Sequence, residues 1–161
     1  MSAHPGAVEA ALPAQTVARS IRIDAPVELI WAAVRDFGGH GAWMPGAGAG
    51  TEHLSWSGDA NTPGTVRRFA APGRPAFAER LNRIDDEAHE LAYSIIESPF
   101  PIEHHEATIA VVADGDAAVA SWTARFDADD ATAAMLDGFM GTQAFAPGLA
   151  GLKGYTEQAG S

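Results

Sequence analysis

Residues 77–112 constrain the fold more than any other part of the chain. They read FAERLNRIDDEAHELAYSIIESPFPIEHHEATIAVV, three strand-like runs separated by an acidic turn at residues 85–87 and a proline-bounded corner at residues 98–101. On alternate positions, which share one side of a strand, the runs carry Glu79, Tyr93 and His105. Burying such groups without partners is costly. The pattern therefore predicts a cavity inside a curved sheet rather than a dry core.

Composition narrows the class of protein. A chain of 161 residues predicts one domain. Its net charge of −11 argues against binding nucleic acid or an anionic membrane surface. The sequence contains no cysteine, so we expect neither disulfides nor thiol chemistry. The first residues lack the basic start and apolar block of a signal peptide, and we expect a cytoplasmic protein.

The order of elements predicts strand, helix, six strands and a long helix. We expect a flexible tail over residues 1–19, a single domain over residues 20–157 and a short tail over residues 158–161. The first strand is predicted at residues 20–24, and Ala25-Pro26 opens a helix that runs to about residue 37. The remaining strands are predicted at residues 51–57, 65–70, 76–84, 89–97, 102–113 and 117–128. The C-terminal helix should run from residue 129 to about 155, with Pro147 kinking or splitting it.

A series of short motifs in this order points to a known family. They are Ala25-Pro26 with the helix at 27–37, Trp43, GTVRR at 64–68, ERL at 79–81, DDE at 85–87, YSI at 93–95, Pro101 and Trp122. The series resembles the START/Bet v 1-like superfamily (SRPBCC), and most closely its bacterial polyketide cyclase/dehydrase branch. The resemblance implies an α+β helix-grip fold, a curved antiparallel sheet of about seven strands around a long C-terminal helix. It also implies an internal cavity for a hydrophobic or aromatic small molecule.

The chain is more distantly similar to the plant abscisic acid receptors, through ERL, DDE and SII. This similarity puts Glu79, His105 and Asp127 at cavity-lining positions. It puts Met44 where the receptors have the lysine that binds the ligand carboxylate. A gated pocket is implied, but a hormone receptor is not supported.

Three residues are candidates for catalysis. Arg68 and Glu79 lie on strands joined by the loop at residues 71–75, and they form either a structural ion pair or a general base with an enolate-stabilising cation. The resemblance implies that His105 faces inward. There it either shuttles protons near its ordinary pKa of about 6.5 or only orients the ligand or hydrogen-bonds Glu79. His104 should face outward. Because adjacent strand residues face opposite sides, the two histidines should not hold one metal ion, and no metal site is expected.

Further residues are candidates for binding the substrate. Arg125 and Asp127 share one face of the last strand, as a salt bridge at the end of the pocket or as an acid/base or anion-binding pair. Trp43 either stacks on a ligand or plugs the core. Trp31 and Trp122 are expected in the core, and His40 and His53 at the surface. The resemblance implies that further rings and apolar groups line the pocket or its lid, and the candidates are Phe77, Tyr93, Ile95, Met135 and Phe139.

These observations leave two hypotheses for function. The first is a cofactor-free cyclase, dehydratase or related lyase or isomerase that uses Glu79, His105 and Arg68. The second is a non-catalytic binding or transport protein for a lipid or aromatic ligand. No nicotinamide, flavin or phosphate-loop motif occurs, so no cofactor is expected. The partner is a hydrophobic or aromatic small molecule, with no nucleic acid and no membrane, and a homodimer is left open.

Overall fold

The strands form one antiparallel sheet of seven, in the order β1-β7-β6-β5-β4-β3-β2. The computed structural model describes residues 11–45, 54–73 and 75–160. The strands are β1 Ala14–Ile23, β2 Leu54–Trp56, β3 Val66–Phe69, β4 Phe77–Asp85, β5 Glu90–Glu97, β6 Glu103–Asp114 and β7 Ala117–Asp127. The α+β helix-grip fold and the strand order along the chain are thus those expected. Residues 1–10 of the expected tail, and His53 with the start of the strand expected at 51–57, lie outside the described residues.

Strand β1 is longer than expected. It pairs with β7 from Ala14, opposite Asp127, to Ile23, opposite Ala118. Residues 14–19, expected in the tail, therefore belong to the sheet. Val17 and Ile23 are buried on its inner face, but Arg19 lies between them on the same face and hides the alternation of apolar and polar residues.

Helix α1, Val27–Arg35, begins directly after Pro26 and buries Ile30, Trp31 and Val34. It packs on β5, β6 and β7 and on the C-terminal helix. A 3-10 helix, Phe37–Ala42, follows it. The core under α1 is built from side chains such as Leu91 and Ile109, which have no exposed surface. Burying each aliphatic side chain of this size contributes roughly 1.5–3 kcal/mol.

The C-terminal helical region has three parts. Helix α2, Asp130–Leu136, is capped by Asp129, whose carboxylate accepts a hydrogen bond from the Thr132 N–H. A π-helix, Asp137–Phe145, comes next, and helix α3, Ala146–Ala159, completes the region. Helix type changes beside Pro147, which has no N–H with which to continue the π-helical hydrogen bonds. None of the described helices is long and apolar enough to cross a membrane.

Candidate functional site

A cavity of about 250 Å³ lies between the inner face of the sheet, the 3-10 helix and the π-helix. Pockets for drug-sized ligands usually measure about 300–1,000 Å³, so this cavity suits a molecule of one or two rings. The described lining residues are mostly aromatic or aliphatic: Phe37, Gly38, His40, Gly41, Met44, Leu54, Trp56, Arg67, Phe69, Phe77, Glu79, Tyr93, Ile95, His105, Trp122, Phe139, Met140, Ala144 and Phe145.

Arg67 and Glu79 form an ion pair in the cavity wall. They lie directly opposite each other on β3 and β4, and Arg67 Nε donates to Glu79 Oε1 at 2.7 Å. Their side chains are only 11% and 16% exposed. Arg67 Nη1 also donates to the Phe37 carbonyl at 3.2 Å, and the Arg67 guanidinium carbon lies 3.8 Å from the centre of the Phe37 ring. Arg67 is thus fixed on three sides, and it orients the Glu79 carboxylate.

The sequence predicted Arg68 as the partner of Glu79, but the partner is the preceding residue, Arg67. Arg68 faces the outside of the sheet, where its Nε donates to Glu97 at 2.9 Å. Only one of two adjacent strand residues can face the cavity, and the loop between β3 and β4 hides the register that decides which. Phe69, two residues after Arg67, also lines the cavity. An apolar residue at this spacing was the signal in the sequence that Arg67, and not Arg68, faces inward.

A β-bulge in β6 delivers His105 to the cavity. Glu103 pairs with Asp127 but Glu106 pairs with Arg125, so β6 holds one extra residue. His104 takes a positive φ of 54° at this point, and its Nδ1 lies 2.8 Å from Asp127 Oδ2 outside the sheet. The two histidines thus face opposite sides, as expected.

A hydrogen bond from β5 determines which nitrogen of His105 carries the proton. The Ile95 N–H donates to His105 Nδ1 at 2.8 Å, so Nδ1 is unprotonated and the neutral ring carries its proton on Nε2. Burial lowers the pKa of His105 to about 4, although the Glu79 charge opposes this. His105 is therefore a neutral hydrogen-bond donor near pH 7. Of the two roles left open by the sequence, this state favours a histidine that orients the ligand over one that shuttles protons near neutral pH.

Tyr93 and Trp122 supply a second polar position in the wall. Trp122 Nε1 donates to the Tyr93 hydroxyl oxygen at 3.0 Å, so the Tyr93 O–H keeps its own proton for another acceptor. Burial, with the nearby Glu79 charge, raises the pKa of Tyr93 well above its ordinary value, and the phenol stays protonated. Trp122 also stacks on Phe145 at 4.6 Å. Trp122 was expected only in the core, and its role in the cavity was missed.

His40 lines the cavity and is 4% exposed, although it was expected at the surface. Its Nε2 donates to the Val34 carbonyl at 2.8 Å. Burial, and secondly the Arg67 charge, lower its pKa to about 3, so it is neutral. The 3-10 helix turns His40 back beneath α1, and nothing in the alternation or helical periodicity of the sequence predicts this turn.

Three aromatic rings meet where the cavity approaches solvent. Phe77 and Phe139 stack with ring centres 6.3 Å apart, and Phe100 lies 5.1 Å from Phe139. Phe139 is 39% exposed while it also lines the cavity. Phe77, Ile95 and Phe139 therefore lie in the wall, as expected.

Four of the expected binding residues are not among the described lining residues. Trp43 is buried against His40 and Trp122, which fits the plug rather than the stacking platform. Met135 is half exposed on α2. Arg125 and Asp127 lie on the outer face, because Trp122, Ala124 and Phe126 take the inward positions of β7.

The cavity wall is electrically balanced. Near pH 7 the described lining residues carry one positive charge, on Arg67, and one negative charge, on Glu79, since burial keeps the two lining histidines neutral. Among the described residues, no three His, Asp or Glu side chains are grouped so that they could hold a metal ion.

Solved structures with the same fold come from bacteria and a plant. A solution structure from Thermobifida fusca is 33% identical, with a TM-score of 0.78 over 89% of this chain and 93% of that chain. The Bacillus cereus protein XoxI is 20% identical, with a TM-score of 0.69 over 89% and 96% of the two chains. Norcoclaurine synthase from Thalictrum flavum, solved with dopamine and hydroxybenzaldehyde, is 16% identical, with a TM-score of 0.77 over 100% and 96%.

No curated protein matches the chain. A family model described as "Polyketide cyclase / dehydrase and lipid transport" matches residues 14–157. That range includes every strand of the sheet and nearly all of the C-terminal helical region. The chain therefore belongs to the polyketide cyclase/dehydrase and lipid transport family.

Proposed function

We propose that the protein is a cofactor-free enzyme that binds a small aromatic or polyketide-like carbonyl compound and removes a proton from it, with Glu79 as the general base. The observation that carries this proposal is a carboxylate held in an apolar cavity by one of its two oxygens. Arg67 binds Oε1, and Oε2 makes no hydrogen bond to any described residue, so it is free to accept a proton from a ligand.

Two neutral donors complete the proposed chemistry. When Glu79 takes a proton from a carbon beside a carbonyl, negative charge develops on the carbonyl oxygen. The Tyr93 hydroxyl and His105 Nε2–H can donate to that oxygen, and such donors stabilise an enolate most strongly where water is excluded. The protonated Glu79 can then return its proton to a hydroxyl or alkoxide of the same molecule, as ring closure or loss of water requires.

A simple enolisable ketone tests this proposal without knowledge of the substrate. We would measure exchange of the α-protons of 2-tetralone in deuterated buffer by NMR, with the wild type, Glu79→Gln and Glu97→Gln. Glu97 is the matched control, since its carboxylate is on the outside of the sheet. The wild type and the control should accelerate exchange above buffer. Glu79→Gln should lose about 10²- to 10⁴-fold of the acceleration, the usual contribution of a general base.

Two results would contradict the enzyme proposal. Exchange at the buffer rate while 2-tetralone shifts the resonances of cavity residues would favour a non-catalytic carrier, which the mostly apolar lining also suits. Acceleration that survives in Glu79→Gln would show that another group acts as the base.

A further inference from the structure

The π-helix Asp137–Phe145 supplies four side chains to the cavity wall, and they fall into two pairs. Phe139 and Ala144 are five residues apart, and so are Met140 and Phe145. Hydrogen bonds in a π-helix join residues five apart, so these pairs share a face. In an α-helix, at about 100° per residue, partners five apart would lie about 140° from each other. The wall thus depends on the π geometry.

Arg19 binds the opposite side of the same helix with the same spacing. Its guanidinium donates to both carboxylate oxygens of Asp137 at 3.2 Å and to the Thr142 hydroxyl at 3.4 Å. Asp137 and Thr142 are also five residues apart. One planar guanidinium therefore bridges two side chains that an α-helical turn would separate.

Gly141 allows this close approach. A β-carbon at this position would lie 2.5 Å from the Arg19 guanidinium carbon, so any larger residue would displace the guanidinium. Arg19 itself projects from the inner face of β1, between Val17 and Ile21, where the sheet elsewhere places apolar residues. The Arg19 guanidinium therefore occupies the space that a side chain at position 141 would need.

We infer that Arg19, Asp137, Gly141 and Thr142 form a clamp that holds the C-terminal region in its π geometry and thereby sets the shape of the cavity wall. These are positioning residues, since none of them lines the cavity. The inference concerns the cavity of the proposed function but is independent of its chemistry. Losing the clamp should let the segment relax toward α-helix, and Phe139, Met140, Ala144 and Phe145 could then no longer face the cavity together.

Methionine methyl groups report the wall directly. Met140 lies in the π-helix, and Met135 lies in α2, just before it. In spectra of the protein labelled with [¹³C-methyl]methionine, Arg19→Ala and Gly141→Ala should shift the Met140 methyl resonance and leave that of Met135 in place. Arg22→Ala, which removes exposed ion pairs from the outer face of the same strand, and Gly138→Ala, where an added β-carbon meets nothing within 4 Å, should shift neither.

Binding of Prodan, a fluorescent naphthalene ketone whose two rings match the size of the cavity, tests the consequence for the cavity wall. Arg19→Ala and Gly141→Ala should raise its Kd by about fivefold or more, equivalent to losing roughly 1 kcal/mol of contact. Gly141→Ala distinguishes an effect on the cavity wall from an effect on the stability of the protein, because alanine favours a helix more than glycine does. Affinity should fall without a fall in the unfolding midpoint.

Unchanged Met140 methyl resonances and an unchanged Kd in both clamp variants would overturn the inference. If Arg19→Ala does not fold, Gly141→Ala gives the decision alone. If the wild type does not bind the probe, the ligand-binding proposal loses support, while the Met140 resonance still tests the clamp.

Discussion

Replacing Arg67 by methionine should lower the free energy of unfolding by about 3–5 kcal/mol, as expected when one partner of a buried ion pair is removed. The change leaves the Glu79 carboxylate, 16% exposed, without its cation. It also removes the hydrogen bond to the Phe37 carbonyl, a charged hydrogen bond of about 1.5–3 kcal/mol, and the contact with the Phe37 ring, which adds about 1 kcal/mol. The apolar methionine side chain recovers part of this sum.

Urea unfolding followed by tryptophan fluorescence measures the effect. With a slope of roughly 2 kcal/mol per molar urea, the midpoint should fall by about 1.5–2.5 M. Arg68→Met is the matched control, since Arg68 is the neighbouring residue but its side chain and that of its partner Glu97 are 46% and 45% exposed. We expect no measurable change there, as for most exposed ion pairs.

Equal midpoints for Arg67→Met and Arg68→Met would refute the reasoning. A double-mutant cycle with Glu79→Gln gives a second check. Because the two side chains are in direct contact, the double variant should lose less stability than the sum of the single variants, by about 1–3 kcal/mol. Strict additivity would mean that the two charges do not support each other.

Two further outcomes can be measured by the same unfolding assay. Since burial lowers the pKa of His105 from 6.5 to about 4, the unfolded chain binds a proton between these values that the folded chain does not, and stability falls as the pH falls through this window. Between about pH 7 and about pH 5, the free energy of unfolding of His105→Gln should therefore fall by about 2 kcal/mol less than that of the wild type. Equal falls in the two proteins would contradict burial of a neutral ring. In α3, Gly151→Ala puts a β-carbon 2.0 Å from the Trp43 carbonyl oxygen, whereas one at Gly154 meets nothing within 4 Å. The first change should destabilise by about 2 kcal/mol or more and the second should stabilise by about 0.5–1 kcal/mol; the reverse order would show that α3 packs differently.

Local patterns in the sequence predicted most of the sheet. Alternation gave the residues that share a face in β4, β5 and β6, and the family resemblance gave the direction of that face. Turn residues located the β4–β5 turn near residues 85–87 and the β6–β7 turn at residues 114–116. Asp114 ends β6, Gly115 takes a positive φ of 64°, and β7 begins at Ala117. These features depend on neighbours in the chain, so one sequence contains the information. The start of β1 was missed because Arg19 interrupts its apolar face, and the partner of Arg19 lies 118 residues away.

The site was predicted less completely, because it depends on the pairing register between strands and on contacts between residues far apart in the sequence. Glu79, Tyr93 and His105 were found from alternation within single strands. Arg67 was not, since pairing across β3 and β4 depends on a loop whose geometry the sequence does not state. His40 reaches the cavity through the 3-10 helix, and no periodic pattern indicates this.

A charged ligand meets different electrostatic environments outside the cavity and within it. The net charge of the chain is −11, whereas the charges of the described lining residues cancel. Dissolved salt screens exposed charges within about 10 Å at 0.1 M, so ionic strength should change how fast a charged compound reaches the entrance. An ion that enters meets no net counter-charge and gives up its hydration shell, so uncharged molecules should be favoured at every salt concentration.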